Sequence, residues 1–170
     1  MVISSCVTTK ETRFSRPETR KEKKIANQDE VRKAVESKRY IIKLEKLYNT
    51  RGGITYLMPR SNYIIVDGER AIISAAYLGR QYDVRGIAAL DMLGRAMNYE
   101  LTSNLSKGMY EVKMKINNGN TSFDVYLSIS KNGTCSASVS TLKIDYVRYA
   151  GYIVPIKDTK TITPSPGDII

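Results

Sequence analysis

Three consecutive segments of strict apolar–polar alternation constrain the fold of this chain most. They span residues 109–116, 121–130 and 134–140, and turn sequences containing Asn-Gly separate them. Alternation with a period of two places every second side chain on one face, as in a strand with one buried face. Because Asn-Gly favours tight hairpin turns, the segments predict neighbouring antiparallel strands. The inward residues are Tyr110, Val112, Met114, Ile116, Phe123, Val125, Leu127, Ile129, Cys135, Ala137 and Val139.

Residues 61–82 predict another hairpin. Apolar residues run up to Asp67-Gly68 and resume after Glu69-Arg70, and Asp-Gly is a favoured two-residue turn. Further strands are predicted at residues 39–48, 54–58, 95–102 and 143–154. In the segment 95–102, Met97, Tyr99 and Leu101 are expected on one face.

Residues 83–94 interrupt the strand pattern. Ile87, Leu90 and Leu93 recur every third position, which predicts one or two helical turns or an apolar loop across one end of the sheet.

A single helix is predicted ahead of the strands, over residues 18–36. Its apolar stripe is narrow, and the rest of the segment is mostly charged or amide. We expect this helix to pack on the sheet; the alternative is a helix that lies on an anionic membrane. The stripe consists of Ile25, Val31, Ala34 and Val35.

These elements predict a mainly β fold with one N-terminal helix (α+β). About eight strands with one apolar face must curl, close or be covered, so we expect a curved antiparallel meander or partial barrel. A two-sheet β-sandwich is the alternative. The single domain is predicted over residues 18–156, with a signal remnant and tether at 1–17 and a flexible tail at 157–170.

Composition argues against several kinds of catalytic site. The chain has no histidine, and its cysteines are Cys6 and Cys135, so the usual Cys/His zinc sites cannot be built. We therefore expect no metal, no cofactor and no enzymatic activity, although a glycosidase with two carboxylates stays open. The prominent acids are Asp83, Asp91, Glu100, Glu111, Asp124 and Asp145.

The formal net charge of +10 would favour an anionic partner. A cytoplasmic nucleic-acid-binding protein is therefore an alternative function. However, Lys and Arg alternate with Glu and Asp in the basic region, which is typical of a solvated helix face. With no known nucleic-acid motif present, nucleic acid is not the expected partner.

The first six residues, MVISSC, are similar to the end of a bacterial lipoprotein signal, in which the cysteine receives the lipid. This interpretation predicts lipidation of Cys6. It requires a true start upstream of Met1, because five residues cannot supply a basic region and an apolar region. A chance match is the alternative.

The hexapeptide Tyr77-Leu78-Gly79-Arg80-Gln81-Tyr82 is the least generic segment. An arginine between tyrosines can bind a carboxylate, sulfate or phosphate, so Tyr77, Arg80 and Tyr82 are the predicted ligand-binding residues. The structural alternative is that Gly79 forms a bulge and Arg80 holds a nearby loop.

As a whole, the chain resembles the bacterial family catalogued as domain of unknown function 4251, over about residues 21–156. The shared features are the Lys/Glu-rich helix, the Tyr40-Ile41-Ile42 strand, Ser61-Asn62-Tyr63, the segment 77–82, the hairpin at 129–136 and the Tyr-rich last strand. Segment 77–82 is similar to the family's Tyr-Phe-Gly-Arg-Ala-Tyr. The chain departs from the family at residues 87–90, which are Ile-Ala-Ala-Leu where the family is Gly-rich.

This resemblance implies a secreted protein or lipoprotein of a Gram-negative bacterium, from a family without an assigned activity. We therefore expect a non-enzymatic, periplasmic, outer-membrane-anchored lipoprotein that binds an envelope protein, a glycan or a small ligand. The lipid anchor would be its only membrane contact. A lipocalin-like small-molecule carrier is the closest alternative, and it predicts an apolar pocket of several hundred Å³.

Overall fold

The alternating segments form an antiparallel sheet behind one helix. The computed structural model describes residues 20–49, 53–81, 84–104, 106–141 and 146–157, with the backbone alone for 20–26 and 78–88. Cys6, the predicted tether and all but the first residue of the predicted tail lie outside this part of the chain. The elements are α1 (Arg20–Glu36), β1 (Arg39–Tyr48), β2 (Ile54–Tyr56), β3 (Tyr63–Asp67), β4 (Arg70–Gln81), β5 (Val84–Asn104), β6 (Met109–Asn117), β7 (Ser122–Ser130), β8 (Thr134–Ser140) and β9 (Val147–Pro155).

The sheet closes on itself as a barrel. Strands β1 and β3 to β9 pair with their neighbours in an antiparallel meander, and β9 pairs back with β1. Strand β2 is an extra short strand that pairs with the last three residues of β1. The mainly β class and the barrel are therefore confirmed, and the barrel replaces the two-sheet sandwich.

The interior is filled by the inward positions of the strands. The predicted inward residues of β6, β7 and β8 are all buried in one apolar cluster. Two large side chains, Tyr40 and Tyr149, are fully buried within it. Ala137 lies directly opposite Tyr149 in the β8–β9 pairing, so the small inward residues of β8 leave room for this ring.

The helix packs on the barrel, as the sequence predicted. Val31, Ala34 and Val35 are buried in the same cluster as the barrel interior. The Tyr99 hydroxyl donates to the carbonyl of Val35 at 2.9 Å, and it accepts from the Tyr40 hydroxyl at 3.2 Å. This apolar edge is therefore used inside the protein, and the interpretation of α1 as a membrane-surface helix was wrong for these residues.

The expectation for residues 83–94 was wrong. Residues 84–94 are strand and form the first half of β5, which pairs with β4 from Gln81↔Val84 to Arg70↔Arg95. A helical turn would have placed Leu90 and Leu93 on one face, but the strand buries Leu90 and leaves Leu93 55% exposed. Cross-strand pairing with β4 outweighs the three-residue spacing of the apolar residues.

A bulge in β5 changes which residues face inward. The pairing of β5 with β6 shifts between Met97 and Glu100, and Asn98 has a φ of 52°. The extra residue turns Met97 outward, where it is 49% exposed, while Tyr99 packs against the core. The expectation that Met97 shares a face with Tyr99 and Leu101 was therefore wrong.

The β3–β4 hairpin is confirmed, with its turn one residue later than predicted. Asp67 pairs with Arg70, so the two turn residues are Gly68 and Glu69. Gly68 has a φ of 64°, as the first position of a type II′ turn requires.

Candidate functional site: a groove on the outer face of the barrel

Of the three residues predicted to bind a ligand, Tyr77 and the backbone of Arg80 lie on strand β4. Tyr77 is 4% exposed and belongs to the interior cluster, where it lies close enough to Tyr149 to raise the pKa of that phenol further, beyond the main effect of burial. The backbone of Arg80 pairs with Arg85, but the Arg80 side chain and all of Tyr82 lie outside the described residues. The ligand-binding role of these three residues therefore stays a prediction.

Two residues from other segments that resemble the family, Asn62 and Tyr149, hold strand β4 in place. Strand β3 pairs with β4 only as far as Ser74, and no other strand in the described part of the chain pairs with β4 on that edge. The side chain of Asn62 accepts a hydrogen bond from the Ala76 amide at 2.7 Å, and the Tyr149 hydroxyl donates to the Ala76 carbonyl at 3.0 Å. Asn62 and Tyr149 are therefore structural residues that replace the missing strand.

The structure shows a concave site elsewhere, on the outer faces of β5 to β8. A groove of about 390 Å³ lies beside the β5 bulge. Its volume is within the usual range for small-ligand sites, roughly 300–1,000 Å³. It is lined by Asn98, Glu100, Lys113, Met114, Lys115, Asp124, Val125, Tyr126, Ser138, Ser140 and Tyr146.

Strand register positions the polar side chains of this groove. Lys113 of β6 lies opposite Glu100 on one side and Tyr126 on the other, and Tyr126 lies opposite Ser138. One transverse row therefore presents an acid, a base, a phenol and a hydroxyl. A second row presents Lys115 and Asp124, whose charged atoms are 3.2 Å apart.

Two tyrosines give the groove an aromatic surface. Tyr146 is 57% exposed, and its hydroxyl accepts a hydrogen bond from Ser138 at 2.7 Å. Partial burial raises the pKa of the Tyr126 phenol, and the neighbouring Glu111 carboxylate raises it further by a smaller amount. Its hydroxyl therefore stays protonated at neutral pH and can both donate and accept hydrogen bonds.

The two acids of the groove lie on strands that are not neighbours. Glu100 and Asp124 are separated by strand β6 and offset by two residues. From standard strand spacings, their Cα atoms are roughly 12 Å apart. Among the described residues, no group of three or more His, Cys, Asp or Glu side chains is placed to hold a metal ion.

Sequence reasoning did not select Tyr126, Ser138 or Tyr146 as site residues. The alternation of β7 did predict that Tyr126 faces outward, and an outward tyrosine on a largely small and polar face is the signal that was present. The signal for Tyr146 was weaker, because it lies just before β9 in a segment read as strand.

In the described part of the chain, no helix combines the length and the apolar character needed to cross a bilayer.

Comparison with known proteins identifies the family. The family model described as "Domain of unknown function (DUF4251)" matches residues 22–153. The crystal structure of a DUF4251 family protein from Bacteroides eggerthii is similar, with a TM-score of 0.67 and 13% sequence identity, covering 76% of this chain and 88% of that chain. No curated protein matches. Because the family model covers most of the chain, this protein belongs to the family of domain of unknown function 4251.

Proposed function

We propose that this protein is a non-enzymatic binding domain of the bacterial cell envelope and that its outer groove binds a neutral glycan. The observation that carries this proposal is the composition of the groove. Two tyrosines stand beside hydroxyl, amide, acidic and basic side chains in one concavity of about 390 Å³.

A polyhydroxylated ligand fits these side chains better than an apolar or strongly charged one. Ser140 and both tyrosines offer hydroxyls that can donate and accept, Ser138 can accept while it donates to Tyr146, and Asn98 adds an amide. The two acids and two bases that line the groove balance each other, so this site does not select an anion. Tyrosine rings supply contact area at a low cost in conformational entropy.

Absence of catalysis is part of the proposal. Its support is the placement of Glu100 and Asp124 on strands that are not neighbours and the ion pair that Asp124 forms with Lys115. The lack of histidine in the sequence removes the commonest general base.

The glycan proposal can be tested with an oligosaccharide array carrying neutral and acidic glycans, followed by calorimetric titration of the best neutral compound. We expect Tyr146→Ala to weaken binding by about fivefold or more, because a tyrosine ring covered by the ligand contributes at least ~1 kcal/mol. Tyr56→Ala is the matched control, since Tyr56 is also exposed but lies on β2. Binding that is confined to acidic glycans, or unaffected by Tyr146→Ala, would contradict the proposal.

We also propose that the domain is attached to the periplasmic face of the outer membrane through a lipid on Cys6. The support is the lipoprotein-like sequence before Cys6. Members of the family of domain of unknown function 4251 are also typically secreted proteins or lipoproteins. Mass spectrometry of protein from native membranes should find a diacylated or triacylated Cys6 at the mature N-terminus. An unmodified Cys6 on a soluble protein that retains Met1 would disprove this attachment and favour the nucleic-acid alternative.

A lipocalin-like carrier is the second candidate, because an eight-stranded closed barrel is an architecture that can hold one small ligand. In the described part of the interior, Tyr40, Leu127 and Tyr149 are fully buried within one packed cluster. A carrier should bind an apolar fluorophore such as 1-aminoanthracene in competition with fatty acids. We expect no saturable binding of this probe if the outer groove is the site.

A further inference from the structure

The short strand β2 presents an apolar face to solvent. Ile54, Tyr56 and Met58 alternate along one face of this segment and are 50%, 77% and 71% exposed. Between them, Leu57 packs against the core. On β6, by contrast, the outward positions are polar, at Glu111, Lys113 and Lys115. Contiguous exposed apolar side chains mark a contact surface more often than isolated ones do.

Cations surround this apolar face. Lys46 lies opposite Tyr56 in the β1–β2 pairing, with its Nζ 5.8 Å from the centre of the Tyr56 ring. Arg148 lies 6.0 Å from the ring of Tyr48, which pairs with Ile54. Arg60 follows two residues after Met58 and is exposed. Among the described residues of β1, the neighbouring strand, Glu45 is the single acidic residue. Basic side chains therefore outnumber acidic ones around this face.

Tyrosine and aliphatic side chains bordered by Lys and Arg are the combination found where proteins meet the headgroup region of a bilayer. Protein interfaces are instead depleted in lysine and bury about 800 Å² on each partner. The β2 face has only three apolar side chains, two on the strand and one just after it. Their apolar area is too small to form the centre of such a protein interface. They are sufficient to dip into a headgroup layer while the neighbouring cations contact lipid phosphates.

We propose that this β2 face, formed by Ile54, Tyr56 and Met58 with Lys46, Arg60 and Arg148, docks on the surface of an anionic phospholipid bilayer. The docking is independent of the glycan groove, which lies on β5 to β8, and of any lipid on Cys6. The sequence predicted the lipid anchor as the only membrane contact. This docking adds a second contact, made by the protein surface. The domain would then rest on the membrane in one orientation, with β2 against the headgroups.

The test uses the full chain with Cys6→Ser, so that no lipid can be attached. Sedimentation with phosphatidylcholine vesicles, with and without phosphatidylglycerol, measures partitioning. We expect binding only to vesicles containing phosphatidylglycerol. Lys46→Gln with Arg148→Gln should lower partitioning roughly thirtyfold, because each cation contributes about fivefold. The matched control, Lys33→Gln with Lys107→Gln, removes the same charge from exposed positions elsewhere and should have little effect.

The chain contains no tryptophan, so a single substitution gives a site-specific reporter. Tyr56→Trp should shift its fluorescence to the blue on vesicles containing phosphatidylglycerol and be quenched by brominated lipid. Tyr146→Trp, at a similarly exposed site in the groove, should show neither change. Circular dichroism melts establish that each variant is folded.

Three results would overturn the proposal: no phosphatidylglycerol-dependent sedimentation, equal losses in the two charge variants, or equal spectral changes at positions 56 and 146. Equal losses would indicate that the net charge binds lipid without a defined face. None of these results bears on the glycan groove, which the array experiment tests separately.

Discussion

At the scale of single residues, Ala76 shows how backbone polar groups find partners where a neighbouring strand ends. Its amide and carbonyl face an edge that β3 no longer covers, and Asn62 and Tyr149 bind one group each. Asn62 is itself held, because its amide nitrogen donates to the Met58 carbonyl at 3.0 Å. In this way both backbone polar groups of Ala76 find a partner where β4 continues past the end of its neighbour.

Replacing Asn62 should therefore destabilise the protein. Asn62→Ala leaves the Ala76 amide and the Met58 carbonyl without this partner, and we expect a loss of about 1–3 kcal/mol in the free energy of unfolding. Urea denaturation followed by circular dichroism measures it. Ser61→Ala is the control, because the exposed Ser61 hydroxyl makes a longer bond of 3.4 Å to the same carbonyl. Equal losses for the two variants would contradict this role for Asn62.

The sequence predicted Ser61-Asn62-Tyr63 as a distinctive segment, but only by resemblance. No pattern in the chain indicates that Asn62 is buried, because its partner is Ala76 on another strand and the bond depends on where β3 stops. Alternation did predict the burial of Leu127 and Ile129, since their surroundings are set by their own strand. Contacts within the strand period were thus predictable, and contacts that depend on strand ends were not.

At the scale of elements, the largest departures from prediction lie in β5. Its first half resembled a helix or loop because its apolar residues are not strictly alternating, and pairing with β4 decided the outcome. Its second half contains the bulge at Asn98, which changes the inward set after Ala96. Asparagine tolerates a left-handed backbone better than most residues, but one Asn among many is a weak signal. Asn98 of this bulge lines the candidate groove, so this part of the lining could not have been predicted.

The seam between β1 and β9 depends on Gly151. A Cβ atom at this position would lie within van der Waals contact of the Lys43 backbone, 3.0 Å from the Leu44 Cα and closer still to the Lys43 carbonyl. Backbone cannot move aside as a side chain can, so the strands would have to separate.

We expect Gly151→Ala to lower the free energy of unfolding by more than about 3 kcal/mol, the upper range for overpacking in a core. Gly119→Ala is the matched control. Gly119 has open space around it and a φ of 93°, so only its backbone conformation opposes the change, at a cost of about 1–2 kcal/mol. Thermal melts compare the two, and a smaller loss for Gly151→Ala would show that the seam can adjust.

At the scale of the whole molecule, several buried acidic groups favour their neutral forms. Burial raises the pKa values of the Tyr40, Tyr99 and Tyr149 phenols, and it raises the pKa of the Cys135 thiol from 9.0 to about 12. In the unfolded chain these groups lose protons at lower pH. Between the two pKa values the folded state binds more protons, so the free energy of unfolding falls as pH rises.

Stability should therefore be constant near neutral pH and decline above about pH 9, first through Cys135 and then more steeply above about pH 10 through the tyrosines. Each such group costs about 1.4 kcal/mol per pH unit within its window. Urea titrations at successive pH values measure the decline. Cys135→Ala should remove the part of the slope between pH 9 and 10, and an unchanged slope in that variant would exclude the thiol as its cause.

The pairing that closes the barrel also sets an order on folding. Tyr40 pairs with Pro155, so the first strand meets its partner only after almost the whole domain has been made. During synthesis or transport in the direction of the chain, β1 and β8 each keep a free edge until β9 arrives. Such edges can pair with other chains, so the unfinished meander is the state most exposed to aggregation. The barrel therefore becomes stable only when β9 has paired with β1 and β8. Until then, the free strand edges must be kept from pairing with other chains.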